Sequence, residues 1–178
     1  MKRRIRTYAE VAEPAGANLA EQVHAQHARL HARLAGVRSI VAVASGKGGV
    51  GKSFVAAQLA ATLAARGQRV GALDADLNGP SLAAMLAASR APLRVDQDGV
   101  HPALGRDGCR VMSSDLLLAE PDSPLRWRGT DAGAFVRQSA LETGMLREFL
   151  SDVVWGDLDV LIVDLPPGTD KIARTLEL

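Results

Sequence analysis

Apolar positions along the chain follow two kinds of pattern that alternate. From about residue 19 to residue 34, Leu19, Val23, Leu30 and Leu34 share one stripe, which predicts an amphipathic helix ended by Gly36. Residues 39–44 (SIVAVA) form instead a short continuous apolar run rich in β-branched side chains, the pattern expected of a strand buried on both faces. Beyond SGKGGVGKS (residues 45–53) lies an alanine-rich helix, with Val55, Leu59 and Leu63 at four-residue spacing and Gly67 closing it. Residues 69–73 predict a second strand that leads into DADLNGPS (residues 74–81). Residues 82–109 are less regular, although Asp98-Gly99 signals a turn of a small hairpin. A third strand is expected around residues 110–113, before a loop with Pro121 and Pro124. A helix over 132–150, interrupted near Gly144, and a fourth buried strand at 159–163 (DVLIV), ending at Asp164, complete the pattern. Strands alternating with helices predict an α/β fold with a mainly parallel sheet flanked by helices.

Composition narrows the picture. The 178 residues are 47% apolar, enough for one packed domain. Residues 1–37 read as a loose polar arm followed by the amphipathic helix, and 38–178 as the domain proper. A net charge of +1 from balanced acids and bases argues against a nucleic-acid or membrane surface, and 3% aromatics against a base-stacking platform. The basic start (Lys2, Arg3, Arg4, Arg6) is followed by no apolar stretch of the kind a secretory leader carries, and no run approaches the ~20 residues of a membrane span. A cytoplasmic location is therefore expected. Cys109 is the one cysteine, so neither an internal disulfide nor a multi-thiolate site can be built from this chain; it reads as a buried, incidental thiol. His24, His27 and His31 share a helical face, but no carboxylate or thiolate completes a ligand set, and a solvated face is expected.

The chemistry concentrates at residues 46–53. Gly46, Gly51, Lys52 and Ser53 meet the phosphate-loop pattern G-x-x-x-x-G-K-[ST]. Gly46, Gly48, Gly49 and Gly51, with Lys47 and Val50 between them, allow successive backbone N–H groups to face a phosphate, and the next helix aims its positive end there. Lys52 would reach the β- and γ-phosphates of ATP, and the Ser53 hydroxyl would ligate Mg²⁺. A strand before the loop and a helix after it are the context that separates such a loop from an idle glycine turn. Asp164 ends an apolar strand, where a carboxylate can hold Mg²⁺ through water. Asp76, after the second strand, is placed to orient or deprotonate an attacking water. Asp74 has two equal readings, as a site residue or as a local partner of backbone N–H groups. Gly168, beyond Pro166-Pro167, could offer its N–H to the γ-phosphate.

Together these residues resemble the Mrp/ApbC family of iron–sulfur cluster carrier ATPases, within the MinD/ParA superfamily of deviant Walker A P-loop NTPases. The resemblance rests on IVAVASGKGGVGKS, LDADLNGPS, VMSSDLLL, LRWRG and LDVLIVDLPPGT, in the family's order over residues 39–169. It implies ATP hydrolysis, a homodimer in which Lys47 crosses to the partner's nucleotide, and delivery of a 4Fe-4S cluster to apoproteins. Three departures stand out: the C-x-x-C pair that carries the family's cluster is absent, the segment after Asp164 reads PPGTDK rather than PPGTGD, and GTDAG follows Arg128. The family also continues well past its Walker B strand, whereas this sequence stops at Leu178. A fragment is therefore expected, or another polypeptide that pairs with an exposed apolar edge of the phosphate-loop strand. Two alternatives use the same loop: a MinD/ParA-like positioning or partitioning ATPase, and a non-catalytic nucleotide-binding regulator.

Overall fold

Two-residue periodicity in the strands decides where each side chain goes. A computed structural model describes residues 19–77, 79–117 and 144–168, with the side chains of the first helix described from residue 27 onward. Strands β1 (Ile40–Val43), β2 (Val70–Asp74), β3 (Ala103–Leu104), β4 (Arg110–Met112) and β5 (Val160–Asp164) form one sheet in the order β1-β5-β2-β4-β3. β1, β5, β2 and β4 run parallel, and only β3 is antiparallel to its neighbour. The alternation sends Leu73, Met112, Leu161 and Val163 to one face, and Val70, Ala72, Val111, Val160 and Ile162 to the other.

Each face has its own cover. On the second lies helix α2 (Lys52–Ala65), which buries Ala56, Ala57, Ala60 and Ala64. Methyl-sized side chains let its backbone approach the sheet closely, and larger ones there would overfill the interior. A single-turn helix, α3 (Leu82–Met85), adds Leu82 and Ala83 to the same core. The first face is covered by α1 (Leu19–Leu34), through Leu30, and by a helical segment over 144–152, through Leu146, Phe149 and Leu150. Trp155 sits fully buried there and donates its indole N–H to the Phe149 carbonyl (3.2 Å). Gly71 lies beneath it, and a Cβ there would come within 2.6 Å of Leu158 and 2.8 Å of Leu161, so those side-chain ends would have to shift.

The expected hairpin is present: Val95 bridges Val100, and the Asp96 N–H donates to the Gly99 carbonyl (3.1 Å). It is anchored where the Arg33 guanidinium donates to the Asp98 and Ser151 carbonyls, binding α1 to the rest of the fold. The part of the expected 132–150 helix before residue 144, the LRWRG stretch and the residues after Gly168 lie outside the described residues.

One expectation is corrected. SIVAVA forms a strand, but not one buried on both faces. Among the described residues β1 pairs only with β5, and Ile40 and Val41 are 52% and 38% exposed. A continuous apolar run reports that no polar face is needed; it does not report whether the strand has two neighbours or one. The exposed apolar edge of the phosphate-loop strand is observed as expected.

Candidate functional site: a glycine loop over paired strand ends

Parallel strands bring all their carboxyl ends to one side of a sheet, and a ligand crevice forms there when adjacent connections diverge. β1 leads to the glycine loop, and β5 lies between β1 and β2. The register sets Val43 beside Asp164 and Asp164 beside Asp74, so the loop and both carboxylates stand in a row.

Residues 46–51, which include Gly46, Lys47, Gly48, Gly49 and Val50, are exposed. Gly49 and Gly51 take φ of +74° and +88°, conformations that side chains rarely adopt. A Cβ added to Gly48, Gly49 or Gly51 would meet nothing within 4 Å, so the loop borders open space. Among the described residues, no N–H of residues 48–51 donates to a backbone carbonyl outside the regular elements. Helix α2 starts directly after Gly51 with no side-chain cap and no acid in its first turn, leaving its positive end uncompensated. The Ser45 hydroxyl donates to the Lys47 carbonyl (3.1 Å), and the Gly168 N–H to the Ser45 carbonyl (3.0 Å). Gly168 thus contacts the start of the loop through the very N–H considered for a γ-phosphate.

Behind the loop, Lys52 Nζ lies 2.5 Å from Asp164 Oδ1, with the two side chains 7% and 0% exposed. Ser53 Oγ is 3.4 Å from the same nitrogen. Asp164 Oδ2 is buried and accepts no hydrogen bond. An orphaned carboxylate oxygen and a serine hydroxyl that share one lysine as neighbour fit a divalent cation that keeps most of its waters and takes one carboxylate from the protein.

Asp74 is also buried, and both readings of it can now be weighed. Its carboxylate accepts N–H bonds from Asp76 (3.0 Å), Ser81 (2.8 Å) and Leu82 (2.9 Å), bracketing the loop between β2 and α3. Burial pushes its pKa up to about 6 against the pull of those three donors, and Asp164 nearby pushes the same way. The local partner role is observed. Asp76, half-buried, sits two residues beyond, its own N–H held by Asp74.

Sequence reasoning missed three features. The Lys52–Asp164 pair joins residues from two separate motifs, so no local spacing announces it. The Ser45–Gly168 bond has the same origin. Ser113 and Ser114, at the carboxyl end of β4, bury hydroxyls with no partner among the described residues, and in sequence they stand only within the VMSSDLLL block.

Cys109 is fully buried, and burial pushes its thiol up to about 12. His27 is half-buried and His31 exposed, and the His24 side chain lies outside the described ones. Among the described residues, no three His, Cys, Asp or Glu side chains gather as a metal site. Nor is any helix there long and apolar enough to cross a membrane.

Comparison with known proteins agrees with this geometry. Residues 36–177 match the family model described as ParA, NUBPL iron-transfer P-loop NTPase. An iron-sulfur cluster carrier protein of Saccharolobus solfataricus is 41% identical over 88% of this chain and 49% of its own length. The human cytosolic Fe-S cluster assembly factor NUBP2 is 45% identical over 81% of this chain and 51% of its own. A solved nucleotide-binding protein from Archaeoglobus fulgidus, in complex with ADP, superposes with a TM-score of 0.67 at 38% identity, covering 84% of this chain and 54% of that one. The chain spans about half the length of the curated relatives it matches. With a glycine loop, a lysine and a strand-end carboxylate assembled at the carboxyl edge of a parallel sheet, this chain belongs to the NUBPL-type iron-transfer family of P-loop NTPases.

Proposed function

We propose that the chain binds and hydrolyses Mg²⁺-ATP as the nucleotide module of an iron–sulfur cluster assembly or transfer protein. One observation carries this: Lys52, Ser53 and Asp164 converge beneath an open loop of glycines. The backbone N–H groups of residues 46–51 and the α2 terminus would bind the phosphates, with Lys52 turning toward them. Ser53 and Asp164 would hold Mg²⁺, Asp164 through water; the cation supplies charge neutralisation at the transferring phosphoryl group. Asp76 would orient water, and Gly168 would exchange Ser45 for the γ-phosphate. Lys47 lies on the exposed rim of the loop, a position from which a side chain can reach a second copy in a homodimer.

A 4Fe-4S cluster is cargo in this reading, and the residues of this chain do not fit it. The single thiol is buried and pushed toward protonation, so cluster ligands would come from elsewhere. The iron–sulfur context is supported by what the relatives are called, and apoproteins that receive clusters would be the clients.

Nucleotide titration and phosphate release test the proposal. Lys52→Ala is expected to abolish ATP binding. Lys47→Ala is expected to retain binding and lose hydrolysis, with wild-type turnover rising more steeply than linearly with protein concentration. Normal hydrolysis by Lys47→Ala would refute the dimer-dependent mechanism, and normal binding by Lys52→Ala would refute the site itself.

A further inference from the structure

One aromatic ring in the first turn of α2 is left in water. Phe54 is 59% exposed, whereas Phe149 is buried in the core. Its backbone places it more narrowly. The N–H groups that open a helix have no carbonyl one turn earlier to bond. In α2 the first N–H with such a partner is that of Val55, which donates to the Gly51 carbonyl (3.0 Å). Among the described residues, no backbone carbonyl accepts from Lys52, Ser53 or Phe54, so the unclaimed donors of the helix end at Phe54. Successive residues turn about 100° round a helix. Lys52 points in to Asp164, and Phe54, about 200° further round, therefore faces away from the strand ends. Helical side chains also lean toward the N-terminus, which here is the glycine loop.

We propose that Phe54 is the nucleoside contact of the site, its ring packing against the sugar and base of a bound nucleoside di- or triphosphate. This rests on the phosphate-loop reading above and adds how the other end of the ligand is held. A phosphate chain in the loop has two ends. The terminal phosphate belongs on the side of Lys52, Ser53 and Asp164, at the buried strand ends. The esterified phosphate then takes the last free donors of the helix, so the sugar joined to it leaves beside Phe54. An exposed ring that packs there loses apolar surface to the ligand instead of to water, and an aromatic face accepts any base. Phe54 thereby adds affinity for a nucleotide over an inorganic polyphosphate without choosing between adenine and guanine. The neighbouring Val55 is 55% exposed, but its N–H is already used within the helix and its side chain lies a further step round, outside this contact.

The test measures ADP, GDP and inorganic pyrophosphate binding to the full chain by calorimetry in millimolar Mg²⁺. Wild type is expected to bind each nucleotide at least tenfold more tightly than pyrophosphate. Phe54→Ala should weaken ADP and GDP at least fivefold and change pyrophosphate less than twofold. Phe54→Trp, which keeps an aromatic face, should stay within threefold of wild type for all three ligands. Val55→Ala removes a similarly exposed side chain and should alter none of them. Unchanged ADP affinity in Phe54→Ala overturns the proposal. So does an equal loss for pyrophosphate, which would mean a damaged loop. Exposed rings also hold subunits together, so sedimentation accompanies each titration. A loss of ADP affinity that appears only together with a loss of dimer assigns Phe54 to a second copy and overturns the nucleoside contact. If wild type binds neither nucleotide nor pyrophosphate, the phosphate-loop reading fails and the role of Phe54 with it. Equal binding of nucleotide and pyrophosphate is a distinct outcome, which leaves that reading standing and refutes Phe54 alone.

Discussion

Replacing Asp74 with asparagine should remove a specific pH dependence from the stability of the fold. The buried carboxyl titrates at about 6, against an ordinary value of 3.8. Its folded-state pKa is raised, so the folded protein takes up a proton at higher pH than the unfolded chain does. Ionised Asp74 thus costs stability above about pH 6, and that cost disappears as the pH falls toward 3.8. The rise corresponds to about 3 kcal/mol between the two protonation states. Between pH 7.5 and pH 5 about half of this is recovered, roughly 1.4 kcal/mol. Urea denaturation of both proteins at these two pH values isolates the effect, because titrating groups that do not interact with Asp74 cancel in the difference. The substitution also exchanges an acceptor oxygen for an amide, and the Asp76, Ser81 and Leu82 N–H groups no longer have two carboxylate oxygens to share. That change sets a fixed offset of about 1–3 kcal/mol, which does not vary with pH. Wild type should gain roughly 1.4 kcal/mol on the variant as the pH falls to 5. An offset that is the same at both pH values would refute the claim that burial controls Asp74.

Other substitutions probe the packing. Gly99→Ala would place a Cβ against the Asp152 carbonyl oxygen at a φ of +138°, and should destabilise by about 3 kcal/mol in chemical denaturation. Gly71→Ala would press on Leu158 and Leu161 beneath Trp155, costing about 1–3 kcal/mol and altering near-ultraviolet dichroism. Cys109, buried and pushed up to about 12, should react with a disulfide reagent at pH 8 only as fast as the protein unfolds; rapid labelling of native protein would contradict its placement. The Arg69 guanidinium holds the Asp159 carboxyl down at about 2, so its contribution to stability is present above the ordinary pKa and lost as the pH falls through about 2; Arg69→Ala should return the Asp159 carboxyl toward 3.8 in a carbon-detected titration.

Much of this was legible in the sequence because the chemistry needs local spacing. A phosphate cradle requires consecutive N–H groups, hence consecutive glycines, and a helix must start where they end. Gly46–Ser53 therefore states its own geometry, and Gly49 and Gly51 take the positive φ that the pattern requires. The four parallel strands were equally visible, since each is a short apolar run closed by polar residues. Strand β3 was not: two residues of a loop-like stretch become a strand only because β4 offers them an edge. The exposure of β1 was hidden for a related reason. Apolar patterning encodes what lies above and below a strand, and the lateral neighbour is set by topology.

The site's electrostatics were hidden more deeply than its shape. A motif scan weighs Asp74, Asp164 and Lys52 one at a time and assigns each a role by its position after a strand or within a loop. Their state depends instead on a sum over elements distant in sequence, fixed by the β1-β5-β2 order. That order puts two buried carboxylates side by side and provides Asp164 with a single lysine. Backbone N–H groups satisfy one carboxylate and leave the other with a buried, unpartnered oxygen. The charge balance at this point therefore depends on which elements the sheet order brings together. Had β1 and β5 not been adjacent, the same motifs would leave Lys52 without Asp164 beside it.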